Sequence, residues 1–135
     1  MTVSLSQTHI LVDDPDAAIP FYRDALGLEV AADVANAGYR WISLVAPGHP
    51  EILVVLEQPE AGRSPENGEA LAALLAKGEL APAHFRTDDL DATIEAIRAI
   101  PGAVVLQEPA DQFWGVRDAG VRDPAGNLLR IEQAK

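Results

Sequence analysis

A histidine and a glutamate, whose side chains can bind metals or act as acids and bases, each recur once in this sequence at a spacing of 75 residues. His9 is followed 75 positions later by His84, and Glu57 by Glu132. Two imidazoles and two carboxylates could hold one divalent ion, or could serve as general acids and bases. The same groups, called here the His/Glu tetrad, could instead form two hydrogen-bonded pairs, His9 with Glu57 and His84 with Glu132, that line a polar cleft. We favour the pairs, because a histidine in a folded protein is usually satisfied by hydrogen bonds.

The spacing belongs to a repeat that covers most of the chain. Residues 9–17 align with 84–92, and Leu56-Glu57-Gln58 aligns with Ile131-Glu132-Gln133. Repetition at a fixed period indicates a duplicated unit whose copies face each other across a pseudo-twofold axis, so a site on that axis would draw side chains from both copies. We predict one domain made of a first module over 4–58, a linker with a short helix over 59–79 and a second module over 80–135.

Composition limits the class of protein. The chain has 135 residues, a formal net charge of -11 and no cysteine. This length fits one domain, and the lack of cysteine excludes disulfides, thiolate nucleophiles and cysteine zinc sites. The negative charge argues against nucleic acid and anionic membranes as partners and could favour a cationic ligand. No export signal and no membrane-spanning run is visible, so we expect a cytoplasmic protein.

Periodicity predicts the order βαβββ in each module. The first module is expected to have a strand over 6–12, a helix capped by Asp14 and ended by Gly27, and strands over 28–34, 39–45 and 51–57. The linker is expected to have a loop over 59–68 and a helix over 69–77. The second module is expected to have a strand over 83–87, a helix over 90–100, and strands over 103–107, 113–121 and 127–133. The fold class is therefore α+β, with two modules forming an open, cleft-like eight-stranded barrel.

Three segments carry a resemblance to a known superfamily. They are Phe21–Leu28, Trp114–Ala119 and the stretch Asp123–Arg130, which begins with an Asp-Pro-Ala-Gly-Asn turn. With the tandem βαβββ pattern, they resemble the vicinal oxygen chelate superfamily, which includes glyoxalase I, bleomycin and fosfomycin resistance proteins and extradiol dioxygenases. The resemblance implies the fold and a homodimer. Function has to be argued from the site, because one fold hosts several unrelated chemistries.

Metal-dependent members of this superfamily bind a divalent ion through a His on the first strand and a Glu on the last strand of each half. The matching positions here are Gln7, Val55, Pro82 and Arg130. Only the Gln7 amide could bind a metal, and Arg130 would repel one. The resemblance therefore implies a protein without a metal cofactor.

The His/Glu tetrad lies two residues beyond those positions, about 6.8 Å along the same strand faces. If the pseudo-twofold axis runs along the strands, the four groups could still converge on one ion. If it runs across them, which we favour, the two pairs end about 13 Å apart, too far for the ~2 Å bonds of a single ion.

We expect a small organic ligand in a cleft lined by Gln7, His9, Trp41, Val55, Glu57, His84, Arg86, Trp114, Arg130 and Glu132. Trp41 and Trp114 could form walls for a flat ligand or could pack in the core. Arg86 and Arg130 could bind a ligand carboxylate or phosphate, or could be neutralised by the nearby glutamates.

The leading hypothesis is binding without a metal, as in proteins that sequester a drug without chemistry. One alternative is a glyoxalase-like lyase or isomerase, or an extradiol-type dioxygenase, in which the His/Glu tetrad holds one divalent metal ion. Another is acid and base catalysis without metal by a His beside a Glu.

Overall fold

The eight strands form two separate four-stranded sheets in the computed structural model, which describes residues 1–135. The first sheet has the order β1-β4-β3-β2 and contains β1 (Gln7–Leu11), β2 (Glu29–Asn36), β3 (Tyr39–Ala46) and β4 (His49–Glu57). The second has the order β5-β8-β7-β6 and contains β5 (Ala83–Thr87), β6 (Val104–Asp111), β7 (Arg117–Arg122) and β8 (Leu128–Gln133). In both sheets the first strand runs parallel to the last, and the other pairs are antiparallel. The duplicated module and the α+β class are confirmed.

The helices begin where side-chain caps are available. Helix α1 (Pro15–Pro20) continues into one π-helical turn, Phe21–Ala25, and helix α3 spans Leu90–Arg98. Asp14 and Asp89 precede α1 and α3, and their side chains accept hydrogen bonds from the first free backbone N–H groups. Both aspartates therefore cap helices, as the sequence predicts.

Three predicted boundaries differ from the structure by four residues: the start of the linker helix, the start of β7, and the end of β6, which extends to Asp111 rather than residue 107. Helix α2 spans Pro65–Ala76, four residues earlier than its expected start, because the Ser64 side chain caps it and Pro65 suits the first turn. Strand β7 begins at Arg117 rather than at residue 113. Residues 112–116 form a tight turn instead, closed by a bond from the Gln112 N–H to the Val116 carbonyl at 2.7 Å, with Gly115 at φ +96°.

One hydrophobic core joins the two halves. Ile42 and Leu44 of β3 are fully buried, and so are Ala119 and Val121 of β7. All four belong to a single cluster that includes residues of both modules and of the helices. Because side chains alternate along a strand, the opposite face of each sheet is turned away from this core.

We call these opposite surfaces the cleft faces. The cleft face of the first sheet carries Gln7, His9, Trp41, Val55 and Glu57. The cleft face of the second sheet carries His84, Arg86, Asp118, Arg130 and Glu132.

A buried polar cluster also connects the modules. The Tyr22 hydroxyl donates to the Asp123 carboxylate at 2.5 Å, and the Asn127 amide donates to the same carboxylate at 2.9 Å and to the Leu11 carbonyl at 2.8 Å. Burial raises the pKa of Asp123, although the bonds from Tyr22 and Asn127 oppose this shift. Burial, followed by the neighbouring Asp123 charge, raises the pKa of Tyr22. We call Tyr22, Asp123 and Asn127 the inter-module clasp, because it ties the first module to the turn before β8.

No helix in the chain has the length and apolar character that a membrane crossing requires.

Candidate ligand-binding site

A cavity of about 650 Å³ lies on the cleft face of the second sheet. Four predicted site residues line it: His84, Trp114, Arg130 and Glu132. Asp118 joins them, together with apolar side chains that include Phe85 and Leu128. A volume of this size is typical of sites for small organic molecules, which combine apolar walls with a few polar groups.

Arg130 is held in place by a hydrogen-bond network. Its Nε and Nη2 atoms donate to the two carboxylate oxygens of Asp118 at 3.0 and 2.7 Å, and Nη1 donates to the Gln107 side chain at 2.7 Å. The Gln112 amide donates to the same aspartate at 2.9 Å. The bonds from Arg130 lower the pKa of Asp118, although burial opposes them, and Gln112 adds to the lowering. Asp118 is therefore ionised at neutral pH and neutralises Arg130.

Gly120 makes room for the Arg130 guanidinium. Gly120 lies directly opposite Arg130 in the β7–β8 pair. A Cβ atom at Gly120 would lie 2.9 Å from Arg130 Nη1, too close for an ordinary contact. A glycine inside a strand often marks such a close approach, so Gly120 belongs to the architecture of the site.

Asp118 is a cavity residue that sequence reasoning missed. One of the two alternatives from the sequence was that Glu57 or Glu132 neutralises Arg130, whereas in the structure Asp118 does so. The signal was available in the hairpin. Counting outward from the predicted turn at 123–127 places Gly120 opposite Arg130 and Asp118 opposite Glu132.

Glu132 lies beside Arg86, as one alternative from the sequence had it, and not in the expected pair with His84. Arg86 Nη2 lies 3.7 Å from Glu132 Oε1, and no hydrogen bond or ion pair joins Glu132 to His84. The Arg86 side chain is 68% exposed and does not line the cavity. His84 therefore reaches the cavity without a carboxylate partner, next to Arg130 on the neighbouring strand.

The expected pair on the first sheet is present. His9 Nδ1 lies 3.4 Å from Glu57 Oε1, and His9 Nε2 lies 2.9 Å from the Gln7 amide nitrogen. A hydrogen bond from the Gln7 amide to Nε2 requires the His9 tautomer with its proton on Nδ1, the atom beside Glu57. Glu57 is buried, and Arg63 from the linker donates to it at 3.2 Å. Sequence reasoning missed Arg63, which lies in an irregular segment.

The two tryptophans have different surroundings. Trp41 is half-buried in β3, whereas Trp114 lies in the turn over residues 112–116 and is 57% exposed. Phe113 packs edge to face on Trp114, with ring centroids 4.8 Å apart, and is itself fully exposed. Trp114 thus forms an accessible aromatic wall of the cavity.

The structure divides the predicted site residues between two surfaces. Gln7, His9, Trp41, Val55 and Glu57 lie together on the first sheet, and none of them lines the cavity. Strands β1 and β5, which carry His9 and His84, each form an outer edge of their sheet. Within one chain, each edge lacks a strand partner on its outer side.

The sequence pattern of the Glyoxalase/Bleomycin resistance protein/Dioxygenase superfamily matches residues 4–131. The chain belongs to this superfamily. The resemblance seen in the sequence is confirmed, and the two βαβββ modules agree with it.

Several known proteins resemble this chain along its length. YurT of Bacillus subtilis (strain 168) is 29% identical over 126 residues, which cover 93% of this chain and 95% of YurT. The crystal structure of UcmS2 aligns with a TM-score of 0.84 and 29% identity over 99% of this chain and 100% of UcmS2. TnmS3, an antibiotic binding protein from Streptomyces sp. CB03234, aligns with a TM-score of 0.73 and 26% identity over 100% of this chain and 99% of TnmS3.

The residues at the superfamily's metal positions do not fit a divalent ion. Val55 is apolar and buried, and Pro82 has no side-chain donor atom. The Arg130 guanidinium occupies the fourth position and is bound to Asp118. The His/Glu tetrad is divided, with one His and one Glu on each sheet, and no group of three or more His, Asp or Glu side chains in the chain is arranged to hold a metal.

Proposed function

We propose that this protein binds a small, flat organic molecule in the cavity of the second sheet and holds it without chemical change. The observation that carries this proposal is the exposed Trp114 side chain beside a cavity of about 650 Å³. TnmS3, whose structure is similar to that of this chain, is an antibiotic binding protein, which supports sequestration of an antibiotic-like compound.

The walls of the cavity suit an aromatic ligand. A ring placed on Trp114 would cover exposed apolar surface and gain a favourable stacking geometry. His84, Arg130 and Glu132 would then orient the polar edge of the ligand. The chain's net charge of -11 favours neutral or cationic compounds over anions.

We also propose that binding needs no metal ion. Of the four superfamily metal positions, only Gln7 offers a ligand atom, and its amide already contacts His9. Glu57 of the His/Glu tetrad is engaged by Arg63, so a metal would have to displace an existing ion pair.

A metal-dependent lyase, isomerase or dioxygenase is the second candidate. One observation favours it: His9 and Glu57 lie 3.4 Å apart, and His84 and Glu132 share the cavity of the other sheet. Elemental analysis of protein purified without chelator separates the two candidates. Metal at one equivalent per chain that disappears in the His9→Ala, His84→Ala double variant would overturn the metal-free proposal.

We further propose a homodimer in which the first sheet of one chain faces the second sheet of its partner. Both sheets direct their other faces into one shared core, so the two cleft faces of a single chain cannot enclose a ligand between them. No strand of the same chain pairs with the outer edges of β1 and β5, and a second copy could bring them together across a twofold axis. Such a dimer has two equivalent sites.

Calorimetric titration with cationic glycopeptide antibiotics and a panel of aromatic metabolites tests the binding proposal. We expect at least one compound to bind metal-free protein. Trp114→Ala should weaken that binding about tenfold or more, equivalent to ~1.4 kcal/mol. Leu74→Ala is the matched control, because Leu74 is an exposed apolar residue of α2, outside the cavity. Binding that is unchanged in Trp114→Ala would contradict the proposed site.

A mixing experiment tests the dimer. If the partner completes the cleft, Trp41→Ala should weaken binding although Trp41 does not line the cavity of its own chain. Mixing equal amounts of Trp41→Ala and Trp114→Ala chains should then restore about a quarter of the sites, because half of the dimers are mixed and each has one intact site. Normal binding by Trp41→Ala, or a monomer by analytical ultracentrifugation, would refute the shared cleft.

A further inference from the structure

Arg130 retains hydrogen-bonding capacity after its contacts within the protein. A guanidinium group has five N–H donors. Three are used, two by Asp118 and one by Gln107. Two donors remain on a side chain that lines the cavity and is 27% exposed. A ligand can therefore receive hydrogen bonds from Arg130 without breaking its existing ones.

The charge around these donors disfavours an anion. Apart from His84, the ionisable side chains of the cavity are one guanidinium and the two carboxylates of Asp118 and Glu132. Asp118 is 7% exposed and forms a two-point ion pair with Arg130, so it cancels the arginine charge at close range. Arg86 offsets Glu132 only weakly, because it is 3.7 Å away and largely exposed to solvent.

The position of the guanidinium is also fixed. Asp118 and Gln107 hold three of its N–H groups, and Gly120 leaves the space in which it lies. A donor pair held in this way loses little conformational entropy when a ligand binds. It can therefore discriminate between acceptors by their charge and geometry.

We propose that Arg130 recognises a neutral hydrogen-bond acceptor, such as the carbonyl oxygen of an amide or ketone, on an aromatic ring that lies against Trp114. Asp118 sets this preference by neutralising Arg130, so the site rejects carboxylates. This inference rests on the proposed function and names the class of ligand for the same cavity. It replaces the alternative from the sequence in which Arg130 binds a ligand carboxylate or phosphate.

A pair of probes with the same ring tests the preference. 2-Naphthamide and 2-naphthoate differ in whether the group on the ring is a neutral amide or a carboxylate. Titration of each into the full-length protein, followed by two-dimensional ¹H–¹⁵N NMR, gives the affinity and locates the bound probe. We expect both sets of shifts around Trp114 and at least about tenfold tighter binding of the amide, because Asp118 cancels the charge of Arg130 and Glu132 adds a negative charge that repels an anion.

Two variants separate the role of Asp118 from that of the cavity. Asp118→Asn leaves a side chain that can still accept a bond from Arg130 but removes the negative charge, and it should reduce or reverse the preference for the amide by about tenfold. Gly120→Ala should push the guanidinium away and weaken amide binding without improving naphthoate binding. Arg23→Gln is the control, because Arg23 pairs with Asp24 on the outer surface and should change neither affinity. The same spectra report whether each variant is folded.

The outcomes are distinguishable. Equal or tighter binding of naphthoate to the wild type, or an unchanged preference in folded Asp118→Asn, would overturn the inference while leaving aromatic binding in place. If neither probe shifts the cavity resonances at millimolar concentration, the inference is also wrong. In that case the separate titration against the compound panel decides whether the proposed function falls with it.

Discussion

The two cleft faces share a scaffold but have different chemistry at their centres. The repeat places Ser43 and Val55 of the first sheet at the positions of Asp118 and Arg130 in the second. The first face is therefore uncharged where the second has an ion pair. The His/Glu tetrad supplies one His and one Glu at equivalent positions on both faces. The two modules therefore kept these residues and diverged at the positions of Asp118 and Arg130.

The hairpins of the two faces also differ in register. Val55 lies opposite Ser43 in the first sheet, whereas Arg130 lies opposite Gly120, two residues further along, in the second. A shift of one residue would turn the side chains to the other face, but a shift of two keeps them on the same face. The second hairpin could therefore place a glycine under the guanidinium and Asp118 beside it without disturbing the core. A shift of two residues in strand pairing can thus create a different site on one copy of a repeated unit.

The largest effect is expected from converting the second face into a copy of the first. Arg130→Val leaves the carboxylate of Asp118 buried without its charged partner, which should lower the free energy of unfolding by about 2–4 kcal/mol. The double variant Asp118→Ser, Arg130→Val carries the residues of the first face and should recover most of that loss. Chemical denaturation of the wild type, both single variants and the double variant measures the coupling. A double variant no more stable than Arg130→Val would show that the ion pair does not explain the effect.

An intermediate effect is expected on the loss of stability at acid pH, to which the Asp118–Arg130 pair contributes. The pKa of Asp118 is lowered in the folded protein, so the unfolded chain binds more protons as the pH falls below about 4. The Asp118–Arg130 pair contributes its full stability at pH values above the pKa of Asp118 in the unfolded chain. This contribution is lost as the pH falls through the lower pKa that Asp118 has in the folded protein. Asp118→Asn should therefore flatten the fall in stability in this range. Asp111→Asn, which removes an exposed carboxylate at the end of β6, is the comparison and should keep the slope.

The smallest effect is expected on the first face. Arg63 makes one hydrogen bond to Glu57 at 3.2 Å, whereas Arg130 makes two to Asp118. Arg63→Gln should thus lower the free energy of unfolding by only about 1 kcal/mol, because glutamine can still donate to Glu57. Thermal or chemical denaturation beside Arg130→Val tests the ranking. A larger loss in Arg63→Gln would show that the ion pair of the first face stabilises the protein more than that of the second.

Much of the scaffold could be predicted from the sequence because local signals agreed. Asp14 and Asp89 cap helices at equivalent positions of the repeat, and alternation identified the inner and outer sides of the strands. The start of β7 was misplaced because the apolar residues around Trp114 suggest a strand. Gly115, at positive φ, closes a tight turn there instead.

The site could be predicted only in part. Alternation placed His84 and Arg130 on one face, but it could not say which carboxylate Arg130 would choose. That choice depends on the hairpin register and on side-chain reach, which bring Asp118 closer than Glu132. The contact of Arg63 with Glu57 depends on the path of an irregular linker, for which a sequence has no periodic signal.

The inter-module clasp has a consequence for how the chain folds. The repeat places Ile97, Gly48 and Ile52 where the clasp has Tyr22, Asp123 and Asn127, so the molecule has one clasp and not two. Neither module can satisfy these buried polar groups alone, because Tyr22 and the Leu11 carbonyl need the turn at 123–127. A cut in the linker would leave two fragments, each exposing part of a common core. We therefore expect the duplicated chain to unfold as a single cooperative unit, in which the folding of either copy depends on the other.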